Sequence, residues 1–167
     1  MGVNPRASAM ELVFPSHDLR DVWLDCRSEW GPGFHEDGFG LTADDDVGSA
    51  QGFSDWVERL RDDVECTYRW IVEGERVLGG VALRHDSHEF AARLGHIGYG
   101  VRPSDRRRGV ASWAVREVLT LASYMGMPRV TAVCEAGNAA SIATLTRVGG
   151  EQVGLLGSAV RFRIPVP

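Results

Sequence analysis

The sequence has no lysine. All 18 of its basic residues are arginine, set against 23 Asp and Glu for a formal net charge of −5. That absence excludes a Walker-type phosphate loop, which needs a lysine on the nucleotide phosphates, and it excludes Schiff-base and pyridoxal chemistry. The acidic balance argues against a nucleic-acid partner, whose binding rests on a basic face. Cysteine is scarce as well: Cys26, Cys66 and Cys134 are odd in number and form no Cys-x-x-Cys pair. Free thiols in a reducing compartment are therefore expected, rather than a disulfide framework or a zinc site. No apolar run approaches the ~20 residues that cross a bilayer, since Arg116 and Glu117 interrupt the best candidate. Near the N-terminus, Arg6, Glu11 and Asp18 leave no secretory pattern. The expectation is a cytoplasmic protein with no membrane partner.

What is present reads as a globular chain. Hydrophobic residues make up 44% and charged residues 25% of 167 positions, the scale of one domain over residues 1–167. Residues 10–14 form an apolar run stopped by Pro15. Leu19, Val22, Trp23 and Cys26 then recur at helical spacing. Residues 31–52, with Pro32, several glycines and the run Asp44-Asp45-Asp46, read as a long, solvated acidic loop. A helix over 53–63 with Ser54 as N-cap follows. Two β-rich runs (67–73 and 76–84) then meet at Gly74-Glu75 as a hairpin. Residues 94–101 read as a strand whose Gly95, Gly98 and Gly100 signal a bulge or a close backbone approach. Val110, Trp113, Ala114, Val118, Leu121 and Met125 make one helical stripe, which Gly126 and Pro128 end. A strand over 129–134, a helix over 138–148 capped by Asn138, and a terminal hairpin around Gly157-Ser158 complete one mixed α/β sheet.

The segment that carries chemistry is Val101-Arg-Pro-Ser-Asp-Arg106-Arg107-Arg108-Gly109-Val110-Ala111. A strand runs through a glycine-bearing turn into an amphipathic helix, where the first amides have no intrahelical partner and converge on an anion. Three consecutive arginines at the positive end of a helix dipole are disfavoured by some 0.3–1 kcal/mol each. A bound anion offsets that cost; a solvated cluster partly balanced by Asp105 is the competing account.

Arg106-x-x-Gly109-x-Ala111 after a strand and Pro103 resembles the (Gln/Arg)-x-x-Gly-x-(Gly/Ala) signature of the GNAT superfamily of N-acetyltransferases, in a bacterial predicted-acetyltransferase branch. The preceding residues 95–105 resemble the family's fourth strand and loop. Asn138-Ala-Ala-Ser141 through Gly149-Gly150 resembles its second cofactor segment. The resemblance implies an α/β (α+β) fold with a single mixed, mostly antiparallel sheet, whose bulged and splayed central strand is flanked by helices. It implies acetyl-CoA as co-substrate and no metal. Val101 would meet the pantetheine arm through its backbone. Arg106, Arg107, Arg108, Gly109, Val110 and Ala111, with Ser112, would take the pyrophosphate. Asn138 and Ser141 would contact the cofactor, and Arg147 would reach the nucleotide phosphate. Asn138 as a helix cap alone is the alternative reading. Family habit implies a homodimer.

The expected activity is direct transfer of an acetyl group to a primary amine of a small molecule or peptide. One departure stands out. Many members carry a tyrosine seven positions after the asparagine, which protonates the leaving thiolate, and here that position is Leu145. The alternative function is therefore a catalytically silent acyl-CoA sensor. His96, in the strand beside the expected cleft, and Glu135, beyond the next strand, are the candidate bases for the acceptor amine. Cys134 is expected to be an inert thiol. His85, Asp86 and His88 lack a further ligand for a metal. Trp30 and Trp56 are candidates for an acceptor pocket. Glu36, Asp37 and Asp44 to Asp46 either steer a cationic amine or are simply solvated.

Overall fold

The computed structural model describes residues 8–33, 35 and 37–167. Strand β1 (Met10–Val13) leads through a 3-10 turn (His17–Leu19) to helices α1 (Arg20–Ser28) and α2 (Ala50–Asp62). Strands β2 (Cys66–Glu73) and β3 (Arg76–Arg84) form the expected hairpin. They are followed by a single helical turn, α3 (Ala91–Leu94), and β4 (Ile97–Val101). A 3-10 turn (Pro103–Asp105) precedes α4 (Val110–Tyr124), and then come β5 (Arg129–Glu135), α5 (Ala139–Arg147), β6 (Glu151–Leu156) and β7 (Ala159–Pro165).

The seven strands lie in the order β1-β2-β3-β4-β5-β7-β6. Every neighbouring pair is antiparallel except β4 and β5, which α4 joins by a crossover, the connection a parallel pair requires. Those two strands pair only at Ile97↔Ala132, whereas β3 matches β4 over five residues and β5 matches β7 over seven. Beyond Ala132 the parallel strands part. The resulting wedge is the main feature of the sheet.

Each face is closed by a helical layer for a reason visible in the side chains. The α4 stripe buries Val115, Val118, Leu119 and Ala122 against Val81, Ile97, Ala132 and Leu145. Full burial of one such aliphatic side chain stabilises by about 1.5–3 kcal/mol. The opposite face holds Trp23, Phe39, Phe53, Trp56 and Trp70, packed mostly edge to face with centroids 4.7 to 6.4 Å apart. Trp56 is thus core and not pocket lining, while Trp30 packs edge-on against Phe39 at 5.8 Å.

Three sequence expectations are corrected. Helix α2 starts at Ala50 with Ser49 as its cap, whose hydroxyl accepts from Gly52 N at 3.0 Å. Gly52, which suggested a later start, is inside the helix because a Cβ there would lie 2.0 Å from the Asp46 carbonyl oxygen. Strand β4 begins at Ile97, because Gly95, at φ +80°, terminates α3 and lies where a Cβ would strike Ala132. The acidic loop, finally, is not solvated throughout. Asp37 and Phe39 are buried, and Asp37 lies 3.0 Å from the Arg27 guanidinium. The loop crosses the sheet where side chains are missing: a Cβ on Gly100 would sit 2.6 Å from Asp37 Cα, and one on Gly80 would sit 2.5 Å from the Phe39 ring. Asp45 is held by Thr42 and Arg59, and Asp46 accepts from Ser49, which lowers the pKa of its carboxyl. Glu36 lies outside the described residues.

Gly79, Gly80 and Gly100 therefore serve close approach. Strand β4 keeps continuous register with β3, and the register shifts fall in β2 at Ile71/Val72 and in β6 at Gln152/Gly154.

Candidate active site

The turn between β4 and α4 is built on Arg102, 2% exposed beneath it. Its guanidinium donates to Glu29 Oε1 from Nε at 3.0 Å and from Nη2 at 2.5 Å, and to Asp25 Oδ2 at 2.9 Å. Glu29 Oε2 also accepts from Ser104 N at 2.9 Å, so one carboxylate clamps both the strand end and the start of the turn. These contacts, the Arg102 hydrogen bond above all, lower the Glu29 carboxyl to a pKa of about 2. Arg108 is anchored in turn by Asp105 at 2.5 Å and by both oxygens of Glu73 at 3.0 and 3.1 Å. The sequence left Arg108 between an anion ligand and a cluster partly balanced by Asp105; the Asp105 pairing is present, and Glu73 adds to it. Its partner Glu73 comes from β2, and that long-range pairing left no local signal.

The turn itself is shaped to present amides. Arg107 adopts φ +63° and Gly109 φ +78°, so the chain twice enters the left-handed region before α4 begins. A non-glycine residue there is under strain, a feature that clusters at ligand-binding sites. Among the described residues, the amides of residues 107–112 donate to no protein acceptor, and Trp113 N is the first amide bonded back, to Gly109 O. A Cβ built on Gly109 meets nothing within 4 Å, so the space in front of these amides is open. The positive end of α4 points into it. Arg147, at the last turn of α5, brings Nη1 to 3.4 Å from Ser112 Oγ and so adds a cation to the same seat. Arg107 stands exposed beside it. Unpaired amides, an open concavity, a helix N-terminus and flexible cations suit a diphosphate.

The wedge continues from this seat. Because Arg102 N bonds across to Leu78 O, alternation turns the main-chain groups of Val101 away from β3 toward the side where β5 has diverged. Arg106 Nε occupies the Val101 carbonyl at 3.0 Å, leaving the N–H. Asn138 caps α5, its Oδ1 accepting from Ser141 N at 3.1 Å, so the capping role is real and its amide nitrogen stays available. Leu145 is 1% exposed and part of the main core, with no access to the cleft.

The two candidate bases are not brought together. His96 lies where β4 and β5 still pair, its Nδ1 accepting from Thr131 N at 2.9 Å and its Nε2 2.8 Å from Asp86 Oδ1. A backbone N–H only donates, so Nδ1 carries the lone pair and Nε2 carries the proton. The basic nitrogen is thereby occupied, and the structure makes His96 a brace across the apex of the wedge rather than a free base. Glu135 stands exposed at the end of β5, with Oε2 accepting from Ser158 Oγ at 2.8 Å. Burial raises the pKa of Cys134, and Cys26 is pushed up to about 12, so neither is an activated nucleophile. Among the described residues no cluster of His, Cys, Asp or Glu fits a metal ion, and no helix is long and apolar enough to cross a membrane. A cavity of about 240 Å³ lined by Val22, Asp25, Glu75, Arg76 and Arg102 lies on the α1 side, away from the wedge.

A splayed parallel pair leading from a turn of unpaired amides is the arrangement that the resemblance implies for a coenzyme A-dependent acyltransferase. Comparison with known proteins places it more narrowly. The family model described as an acetyltransferase (GNAT) domain matches residues 16–151, and the chain belongs to that family. Acetyl-CoA is accordingly its co-substrate. Similar solved structures include an acetyl transferase from Salmonella typhimurium that modifies the N-terminal serine of a 50S ribosomal subunit protein. It is 16% identical, with coverage of 98% of each chain and a TM-score of 0.69. The PaiA N-acetyltransferase of Thermoplasma acidophilum, in complex with coenzyme A, is 9% identical over 94% of this chain and 99% of the other, with a TM-score of 0.64. A microcin self-immunity acetyltransferase in complex with acetyl-CoA and AMP is 14% identical over 94% and 92%, with a TM-score of 0.65. Among curated protein sequences none matches this chain.

Proposed function

We propose that the protein transfers an acetyl group directly to a primary amine of a small molecule or peptide within a ternary complex. The amide seat at residues 107–112 carries this reading, because its amides are left without protein acceptors and the space at Gly109 is open, as a diphosphate requires. Acetyl-CoA, when bound, supplies an acetyl group already activated as a thioester. Around it, the amides of Arg108, Gly109, Val110 and Ala111 hold anionic oxygens, and Ser112 and Arg147 extend the seat. The Val101 N–H orients the arm in the wedge. Asn138 and Ser141 border it from α5.

The acceptor enters as an ammonium, with a pKa near 10.4 for an alkylamine and about 8 for a peptide α-amine, and must shed a proton before it attacks. With the His96 lone pair occupied, Glu135 is the remaining candidate base, and the carboxylate also attracts the cation. A peptide acceptor draws support from the Salmonella relative, which acts on an N-terminal serine.

Thiol release from acetyl-CoA, measured over polyamines, amino sugars and short peptides with free N-termini, tests the reading. Turnover with one amine class is expected. Coenzyme A binding without thiol release for every class would instead support the silent sensor.

A further inference from the structure

On the face that carries α1 and α2, the helical layer stops short of half the sheet. Those helices pack on β3 and β2. The buried side chains of β5 and β7, Ala132 and Phe162 among them, all belong to the core on the other face. Alternation therefore turns Val133 and Glu135 of β5, and Arg161 and Arg163 of β7, toward the uncovered side, where each is half-buried or exposed. Arg161 lies opposite Val133, the first β5 residue beyond the last pairing with β4. Its Nη2 donates to the carbonyl of Ala92 in α3, so the side chain crosses β5 and sets the guanidinium beside the apex of the wedge. A guanidinium has five N–H donors. Among the described residues no carboxylate pairs with this one, and its Nε and Nη1 are neither bonded nor buried. Other arginines are matched: Arg27 takes Asp37, Arg102 takes Glu29, and Arg163 faces Glu151 across the ladder, where Arg161 faces Gly154. The carboxylates of this region have partners as well, Asp86 in His96 and Glu135 in the Ser158 hydroxyl. The acidic loop offers a cationic acceptor little, since Asp37 and Asp45 are held by Arg27 and Arg59.

We propose that Arg161 selects acceptors that carry an anionic group besides the amine, holding a carboxylate or phosphate at the apex of the wedge while the amine reaches Glu135. The proposal rests on the acetyl-transfer reading. A partly desolvated cation without a counter-ion is costly, and the planar fork of a guanidinium matches the paired oxygens of a carboxylate or phosphate. Glu135 lies two residues beyond Val133 on the same face, about 7 Å along the strand, and diagonal to Arg161 across the β5–β7 ladder. The anion and the amine of the acceptor are therefore several bonds apart. An ω-amino acid, an aminoalkyl phosphate, or a peptide with an acidic side chain next to its free N-terminus has this chemistry.

Thiol release is compared in two arms: 4-aminobutanoate, 5-aminopentanoate and 6-aminohexanoate against their uncharged amides, and the dipeptide amide Ser-Glu against Ser-Gln. The first arm reads a small acceptor and the second a peptide. In one of them the anionic member should be preferred about tenfold in kcat/KM, as for a charge-assisted hydrogen bond. Arg161→Gln removes the charge, and its ratio of anionic to neutral acceptor should fall to near one. A strap that only ties β7 to α3 would slow both members alike, so an unchanged ratio, or no preference in the parent, overturns the proposal. Should Arg161→Gln fold poorly, raising salt from about 0.05 M to about 0.5 M should shrink the parent's preference several-fold, and a salt-independent preference would overturn it. If the parent releases no thiol with any amine, the acetyl-transfer reading fails. Calorimetric titration of the same amino acids into the coenzyme A complex then still decides on Arg161: binding stronger than that of the amides and lost in Arg161→Gln supports it, and its absence overturns it.

Discussion

Replacing Glu29 with glutamine tests whether the phosphate seat is held from below by charge. The substitution keeps the shape and one acceptor oxygen but removes the negative charge facing a guanidinium that is 3% exposed. Breaking a buried pair outright costs about 3–5 kcal/mol. Here Asp25 stays 2.9 Å from Arg102 Nη2 and Asp105 stays 3.7 Å from its Nε, so the charge is not abandoned. Loss of the charged hydrogen bonds at a partly solvated carboxylate then amounts to about 2 kcal/mol. For a chain of this size that corresponds to a fall in Tm of roughly 4–8 °C. The pH dependence has a definite sign. The Glu29 pKa is lowered on folding to about 2 from an ordinary 4.5, so its contribution is complete above pH 4.5 and is lost as pH falls through 2. Melting curves of parent and Glu29→Gln at pH 7 and pH 3 check both points. The variant should melt lower at pH 7, and the gap should narrow at pH 3. Equal melting temperatures at pH 7, or a constant gap across that range, would refute the account of the clamp.

Gly100→Ala should lower stability by about 1–3 kcal/mol, since the new methyl meets the Asp37 backbone at 2.6 Å and the loop must lift. Coenzyme A affinity should hold while KM for the amine rises, and steady-state kinetics with titration calorimetry separate the two. His96→Ala should reduce Tm by several degrees, because Thr131 N loses its acceptor at the apex of the wedge. The shape of its pH–rate profile should match the parent's; a lost acidic limb would restore His96 as the base.

Much of the fold was legible because local rules and packing agree. The α4 stripe, the Gly74-Glu75 hairpin and the Asn138 cap each combine a propensity signal with the burial that the fold requires. Where they disagree, the tertiary contact prevails: Gly52 stays inside α2 because no side chain fits there, and Gly95 ends a helical turn instead of entering β4. The seat at Gly109 could be read from spacing, since its amides belong to one short segment. Its supports could not. Glu29 and Asp25 reach Arg102 across more than seventy residues, and Glu73 reaches Arg108 from another strand. Such pairs leave no periodic trace in a single sequence.

Calorimetric titration of coenzyme A into the parent, Gly109→Ala and Gly109→Glu bears most directly on the diphosphate seat. Residue 109 is at φ +78° with open space before it, so both variants carry a backbone strain of about 1–2 kcal/mol and should still fold. The parent should bind, alanine should weaken binding modestly, and glutamate, whose carboxylate enters the seat, should abolish it. Binding by Gly109→Glu within about threefold of the Gly109→Ala value would contradict the assignment of residues 107–112 as the phosphate-binding turn.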